Sequence, residues 1–425
     1  MFRKILLKTM GMPVRLSYGF WMRNLGSTTR RRIKVMCWRY KMGSMSVESH
    51  PSCLLWGPCS FVLFWQRFFC LDTNMLKLAV DLRPLLEPLE SGVTQYTKAL
   101  AREFLKRSDE VELDFFYQAR KRCERIHELF PTVRHLPFSN TCFHFRCLFG
   151  FPRLPGNYFK KKPDLIWIPD RRPFYCSNIP LVMTIHDKVP ELYASTLSLK
   201  GRLWHFIFPL RRLLKLCSGI VVPTFSIGAS IRTQMPKEVT YEGVFLASPK
   251  PPLLAKKLAK APFFLMISPS DPRKRLHWLF KMAERFSKVN FVVLGLKPSD
   301  KRFARLKIHT APNLYFFPEI SEGEKSWYLH HARALLALSK YEGFDLPVLE
   351  AVTAKCPVIM SDIPVHNELY KKACMVKTLS DLEGAVYRAL HSKIEIPQPR
   401  GIYTWEKTAD RTLLFFLRVL FHENR

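Results

Sequence analysis

An α/β architecture of two doubly wound domains is what this chain predicts, and three observations carry the prediction. Short apolar runs bounded by proline or charge alternate with amphipathic stretches, as parallel strands alternate with the helices that cover them. The alternation stops in a proline- and lysine-rich segment, residues 248–262, and then restarts. The 425 residues, 48% of them hydrophobic, suffice to bury two cores of ordinary size.

In the first half, Leu76–Leu82 (LKLAVDL) reads as a buried strand. Ser91-Gly92-Val93 then opens an amphipathic helix, Thr94–Lys106, with Tyr96, Leu100, Phe104 and Leu105 as its apolar positions. Val111–Tyr117 is a second strand, and residues 120–162 are aromatic and poorly patterned. Asp164–Ile168, Leu181–Ile185 and Gly219–Val222 are short apolar runs of the parallel-strand kind. Gly201–Cys217 is a basic and apolar helical stretch that Pro209 breaks or kinks.

In the second half, Phe263–Ile267 is a strand, Leu276–Phe286 a helix and Asn290–Leu294 a strand. Ser321 and Glu324 form a capping box for a helix over Lys325–Leu336. A helix at Leu346–Ala354, a strand at Pro357–Met360 and a helix at Leu379–Leu390 follow, and Trp405–Leu420 is a long amphipathic helix. The expected organisation is therefore an extension outside the fold (1–74), a first domain (75–250), a linker (251–262), a second domain (263–402) and a C-terminal helix (403–425) that returns to the first domain.

The charge is extreme: 67 Lys and Arg against 35 Asp and Glu, a formal +32. Such a balance points to a polyanionic neighbour, whether nucleic acid, an anionic membrane leaflet or a phosphorylated substrate, and says nothing of fold. No RNP, helix-turn-helix or zinc-finger signature accompanies it. The eleven cysteines show neither CxxC pairs nor Cys/His ligand spacing, so they read as reduced, mostly buried thiols of a cytosolic protein. Residues 1–74 carry 12 Lys and Arg against Glu48 and Asp72, and their apolar run Leu54–Trp65 is too short to span a bilayer. They read either as a targeting segment or as residues upstream of a true start at Met75; the clean strand after Met75 favours the second.

The chemistry-bearing stretch is Tyr341–Ala351 (YEGFDLPVLEA). Two carboxylates, Glu342 and Glu350, stand eight apart at either end of a loop that enters a helix, with Pro347 suited to its first turn. Backbone amides at a helix start bind anions and sugar hydroxyls, and a helical glutamate accepts hydrogen bonds from a ribose diol. This string resembles the E-x7-E motif of the family 4 retaining glycosyltransferases. Phe263–Leu276 resembles that family's strand and "PRKN" loop, Ser91–Tyr96 its "GIGRY" turn, Thr184–Asp187 with Pro190 its "TVHDLxP" stretch, and Tyr403–Glu406 its closing "fsWe". The likeness runs from Met75 to the C-terminus with the landmarks in order.

The resemblance implies the GT-B fold, two Rossmann-like domains facing across a cleft. It implies that Arg273 and Lys274 hold the donor diphosphate, where cations offset the charge that develops as the nucleotide departs. Glu350 would hold the ribose. Gly343, Phe344 and Leu346 would complete the donor loop, and Glu342 would face the transferred sugar. His186, near the reacting centre, joins Glu342 as the catalytic pair. Gly92 and Asp187 would line the acceptor side of the cleft, and Glu368 matches a recurring glutamate of less defined role. The likeness to bacterial O-antigen mannosyltransferases implies GDP-mannose as substrate, no cofactor, no metal and a glycan or lipid-linked acceptor. A cytoplasmic location follows, peripheral on an anionic inner leaflet. Departures are Asp345, Lys355, Thr94, Arg275 and Ser268, where relatives have glycine, glycine, glycine, asparagine and often arginine; they leave donor identity and the level of activity open. A sugar-nucleotide epimerase or phosphorylase on the same fold, and a non-catalytic basic protein binding nucleic acid or membrane, stay open as other readings.

Overall fold

The computed structural model describes residues 75–87, 91–137, 159, 161–174, 178–236, 239–243, 262–267, 271–296 and 311–423. The extension 1–74, all of the linker but its last residue, and Ser268 lie outside the described residues. Lys77–Arg107 with Leu113–Arg425 form one compact unit that carries nearly all of both sheets. The described residues of a second unit are Met75, Leu76 and Ser108–Glu112, where the Leu76 amide donates to the Glu110 carbonyl at 3.2 Å.

The first sheet has seven strands: β1 (Leu76–Asp81), β2 (Val111–Gln118), β3 (Arg134–Leu136), β4 (Leu165–Ile168), β5 (Leu181–Thr184), β6 (Gly219–Val222) and β7 (Thr240–Gly243). Their order is β3-β2-β1-β4-β5-β6-β7. Its central strands are uniformly buried, as a sheet covered on both faces requires. The helices of this half are α1 (Gly92–Leu105), α2 (Glu124–Leu129), α3 (Val189–Leu192), α4 (Leu199–Ile207), α5 (Leu210–Leu214) and α6 (Phe225–Ile231). The Ser91 hydroxyl caps α1 by accepting from the Thr94 amide at 3.2 Å. Tyr96, Leu100 and Phe104 face the core, but Leu105 is 45% exposed, because one residue beyond Phe104 turns it about 100° away. Pro209 breaks the expected long helix into α4 and α5 and stands extended at the start of the second.

The second sheet has β8 (Phe263–Ile267), β9 (Asn290–Leu294), β10 (Leu314–Phe317), β11 (Ala334–Ala337), β12 (Val358–Ser361) and β14 (Cys374–Val376). Its order is β10-β9-β8-β11-β12-β14, with the pairings parallel. β13 (Tyr370–Lys371) and β15 (Gln398–Pro399) make a small antiparallel pair. The helices are α7 (Leu276–Arg285), α8 (Glu322–His331), α9 (Leu346–Thr353), α10 (Pro364–Leu369), α11 (Leu379–His391) and α12 (Trp405–Glu423). Among the described residues no helix is long and apolar enough to cross a membrane.

One expected element is corrected. The capping box of Ser321 and Glu324 is formed, but α8 ends at His331 and Ala334–Ala337 is strand β11, not helix. Ala-Leu-Leu-Ala favours helix by propensity, and a strand buried on both faces has no alternating pattern to betray it. The short strands β3, β7, β10 and β14 carry too few residues to show a period and were not expected either. The C-terminal helix α12 packs on α1, β6 and β7 of the first sheet, with Arg107 donating to Asp410 at 2.7 Å and Arg418 paired to Glu242 at 3.0 Å.

Candidate functional site

Strand order reverses between β1 and β4 in one sheet and between β8 and β11 in the other. Ligands of open α/β sheets bind at such switch points, beyond the carboxyl ends of the strands. The loops that leave those ends carry most of the residues singled out above.

After β8, Asp271 caps a single 3-10 turn, Pro272–Lys274, and its carboxylate accepts from the Arg273 amide at 2.9 Å. After β11, the chain runs through Ser339, Tyr341 and Glu342 into Gly343 and the start of α9. The Glu342 carboxylate is buried and collects three donors: Ser339 Oγ at 2.7 Å, an Arg273 guanidinium nitrogen at 2.8 Å and Lys274 Nζ at 3.3 Å. Burial pushes its carboxyl up, but Lys274 and Arg273 outweigh burial and hold it at about 2, so it is ionised. The two cations differ. Arg273 is also fixed by Asp271 Oδ2 at 3.0 Å and by the Tyr341 carbonyl. Lys274, whose ammonium is kept charged against burial by Glu342 and Asp345, lines a small cavity with Met266, Ile267, Ser339, Asp345 and Pro347.

Glu350 lies in the second turn of α9, buried, with Oε1 accepting from Lys325 Nζ at 3.0 Å. Burial raises its carboxyl above the ordinary range, and Lys325 only partly offsets it. Lys325 also pairs with Glu322 at 2.8 Å, so it stays charged although nearly buried. Lys325 is not among the residues singled out from sequence, where it only begins the expected helix. The available signal was its register: Lys325 shares a helix face with Tyr328 and Leu329, both buried.

From the first sheet, His186 follows β5, and its Nε2 donates to the Pro169 carbonyl at 2.8 Å. A carbonyl partner requires the proton on Nε2 and leaves Nδ1 an acceptor. Burial holds the ring neutral, below the ordinary histidine range. Asp187 accepts from the Val189 amide at 2.9 Å, and the Lys188 amide donates to the Tyr341 hydroxyl at 3.0 Å. Gly343 meets this segment closely: a β-carbon there would sit 2.0 Å from the His186 carbonyl oxygen. Thr224 Oγ1 donates to the Gly343 carbonyl at 3.2 Å. Gly92, first residue of α1, lies beside Leu346, whose Cδ1 would be 3.4 Å from an added β-carbon. Phe344 is buried against the Tyr403 ring, so its side chain packs beneath the loop.

Arg273, Lys274 and Glu342 thus touch one another, Gly343 touches the His186–Asp187 segment, and Gly92 touches Leu346. Glu350 instead pairs with Lys325. Glu368 holds an end of α6: its carboxylate accepts from the Phe225 amide at 2.7 Å, the Ser226 amide at 2.8 Å and the Ser226 hydroxyl. A carboxylate there satisfies orphan amides and complements the helix dipole.

Three of the departures have left-handed backbone: Arg275 at φ 55°, Asp345 at 67° and Lys355 at 58°. Glycine and asparagine take that region at least cost; other residues lose roughly 1 kcal/mol. Two are braced. Arg275 lies over the Trp278 ring at 4.4 Å and donates to Ser361 Oγ at 3.1 Å. Asp345 Oδ2 accepts from His366 Nε2 at 3.0 Å, with both side chains buried. Nothing in the structure explains lysine at 355.

Two family models match consecutive stretches: "Glycosyltransferase Family 4" over residues 91–248 and "Glycosyl transferases group 1" over residues 254–376. The chain is similar to O-antigen chain mannosyltransferase RfbU of Salmonella typhimurium, 26% identical over 199 residues, which are 45% of this chain and 56% of that enzyme. It is similar to serotype-specific mannosyltransferase WbdA of Escherichia coli, 29% identical over 172 residues, 37% of this chain and 21% of that one. The chain therefore spans about half the length of the first relative and a fifth of the second. Sucrose-phosphate synthase of Thermosynechococcus elongatus has the same fold, with a TM-score of 0.55 and 15% identity over 82% of this chain and 97% of that structure. With its two parallel sheets, paired switch-point loops and both family domains in order, the chain belongs to the family 4 glycosyltransferases of GT-B fold.

Proposed function

We propose that the chain is a retaining glycosyltransferase that moves mannose from GDP-mannose to a glycan or lipid-linked acceptor of a cell-surface polysaccharide such as O-antigen. The observation that carries the reading is the Glu342 carboxylate gripping Arg273 and Lys274 at the β8/β11 switch point, with Glu350 eight residues on, inside α9. Lys274, with fewer fixed partners than Arg273 and a place in the cavity wall, is the cation that meets the donor diphosphate. Glu350 takes the ribose diol, and its charge is kept by Lys325. Glu342 faces the transferred sugar. The mannose assignment rests on the names of the similar O-antigen enzymes.

In the reaction the bond from the sugar's anomeric carbon to the diphosphate breaks. The acceptor oxygen bonds that carbon on the same face, and its proton passes to the departing diphosphate. Lys274 offsets the negative charge that grows on the diphosphate, a preorganised electrostatic contribution. The neutral His186 ring cannot donate from Nε2, already spent on Pro169; Nδ1 orients a sugar or acceptor hydroxyl as an acceptor.

A thermal-shift screen against GDP-, UDP- and ADP-sugars tests the donor, because a ligand of the folded state alone raises stability. Stabilisation by GDP-mannose over the others, followed by transfer of labelled mannose, is the expected result. Stabilisation by another nucleotide sugar alone overturns the mannose assignment, and an epimerised or phosphorolysed product overturns transfer.

A further inference from the structure

Helix α4 has an unusual surface. None of its nine residues is buried. Leu199, Leu203 and Phe206 are 82%, 59% and 83% exposed, and Leu192 just before it is 52% exposed. Positions 199, 203 and 206 fall within about 60° of one another around a helix, so they form one apolar ridge. A soluble surface tolerates scattered apolar side chains; a contiguous ridge of large ones marks a contact. Charge flanks the ridge. Lys200 and Arg202 stand to either side of it, and Arg211 and Lys215, all exposed, follow on α5. No acidic residue occurs between Glu191 and Glu238.

From this surface we infer that the α4 ridge seats in an anionic lipid leaflet, with Leu199, Leu203 and Phe206 entering the acyl boundary and the flanking cations held at the headgroups. The composition of the surface selects that occupant. A basic helix with leucine and phenylalanine on one face is the kind that lies in a membrane interface. A second copy of this chain, at +32, would bring the same cations face to face around the ridge, where like charges repel. The proposal deepens the reading of a lipid-linked acceptor: it assigns the membrane contact to α4 and to its apolar side chains, not to charge alone.

The test is co-sedimentation of the full chain with phosphatidylcholine vesicles, with and without about a third phosphatidylglycerol. The wild type should sediment with the anionic vesicles. Leu203→Glu/Phe206→Glu should lower vesicle affinity at least about tenfold, through lost apolar burial and added like charge. Lys200→Gln/Arg211→Gln should lower it roughly fivefold per cation and flatten its salt dependence, while leaving weak residual binding. Neither variant touches the donor loops, so the nucleotide-sugar thermal shift serves as a folding control and should be unchanged. Vesicle binding with no nucleotide-sugar binding would sink the glycosyltransferase reading and leave this one standing. Equal sedimentation of wild type and Leu203→Glu/Phe206→Glu would overturn the α4 assignment, as would a wild-type dimer that the variant converts to monomer without change in vesicle binding.

Discussion

The carbonyl oxygen of His186 occupies the space beside Gly343 so fully that a β-carbon there would approach it to 2.0 Å. Real β-carbons do not come that near, and the obstacle is backbone, which cannot rotate aside. This contact joins the loop after β11 to the loop after β5, and with it the segment of Glu342 to that of His186 and Asp187.

Gly343→Ala should therefore displace one loop from the other, at a cost of about 1–3 kcal/mol of overpacking. Gly92→Ala is the contrast, because its added β-carbon would meet only Leu346 Cδ1 at 3.4 Å and alanine suits a helix start. Urea titrations of the two should differ clearly, with Gly92→Ala within about 0.5 kcal/mol of wild type. Equal, small effects would show that the two loops do not depend on that contact.

Lys274→Ala should damage turnover more than folding, by about 2.7–4 kcal/mol in the transition state, falling on kcat as well as on donor affinity. Arg273→Ala should instead cost stability, because Asp271, Tyr341 and Glu342 all lose a partner. Near-normal turnover in Lys274→Ala beside a crippled but well-folded Arg273→Ala would transfer the phosphate role to the arginine.

Glu350→Gln should weaken nucleotide binding by about 1–2 kcal/mol as a charge-assisted hydrogen bond becomes a neutral one. Glu350 already titrates above the ordinary carboxylate range through burial, and Lys325 is what pulls it back. Lys325→Met should raise it further. Donor affinity, which needs the ionised carboxylate, should then fall with acidification starting at a higher pH than in wild type. Isothermal titration from about the ordinary glutamate pKa of 4.3 upward to neutral pH reads this directly. A superimposable pH profile would mean that Glu350 does not bind the ribose as a carboxylate.

Burial favours the neutral His366 ring, but the hydrogen bond and charge of Asp345 outweigh it and raise its pKa above the ordinary value. A histidine raised on folding contributes stability that is full below its unfolded pKa of about 6.5 and is lost as pH rises through the folded value. Denaturation midpoints should accordingly decline from about pH 6.5 upward. Asp345→Asn keeps a residue that tolerates left-handed backbone while removing the charge, so it should flatten that decline. An unchanged slope in the variant would assign the pH dependence to another group.

The features legible along the chain were local. Ser91 and Ser321 with Glu324 marked helix starts because a cap acts within three residues, and Pro209 stopped a helix because its ring clashes within one turn. The spacing of Glu342 and Glu350 likewise set one in a loop and the other inside a helix. The partners of these groups emerged only on packing. Glu342 finds Arg273 from 69 residues away, Glu350 finds Lys325 from 25, and Glu368 finds the start of α6 from 142. It also made a buried strand of Ala334–Ala337, whose composition favours helix. Capping and periodicity are settled by near neighbours in the chain. Ion pairs and strand identity depend on which segments the parallel sheet order brings side by side, and that order is a property of the packed whole.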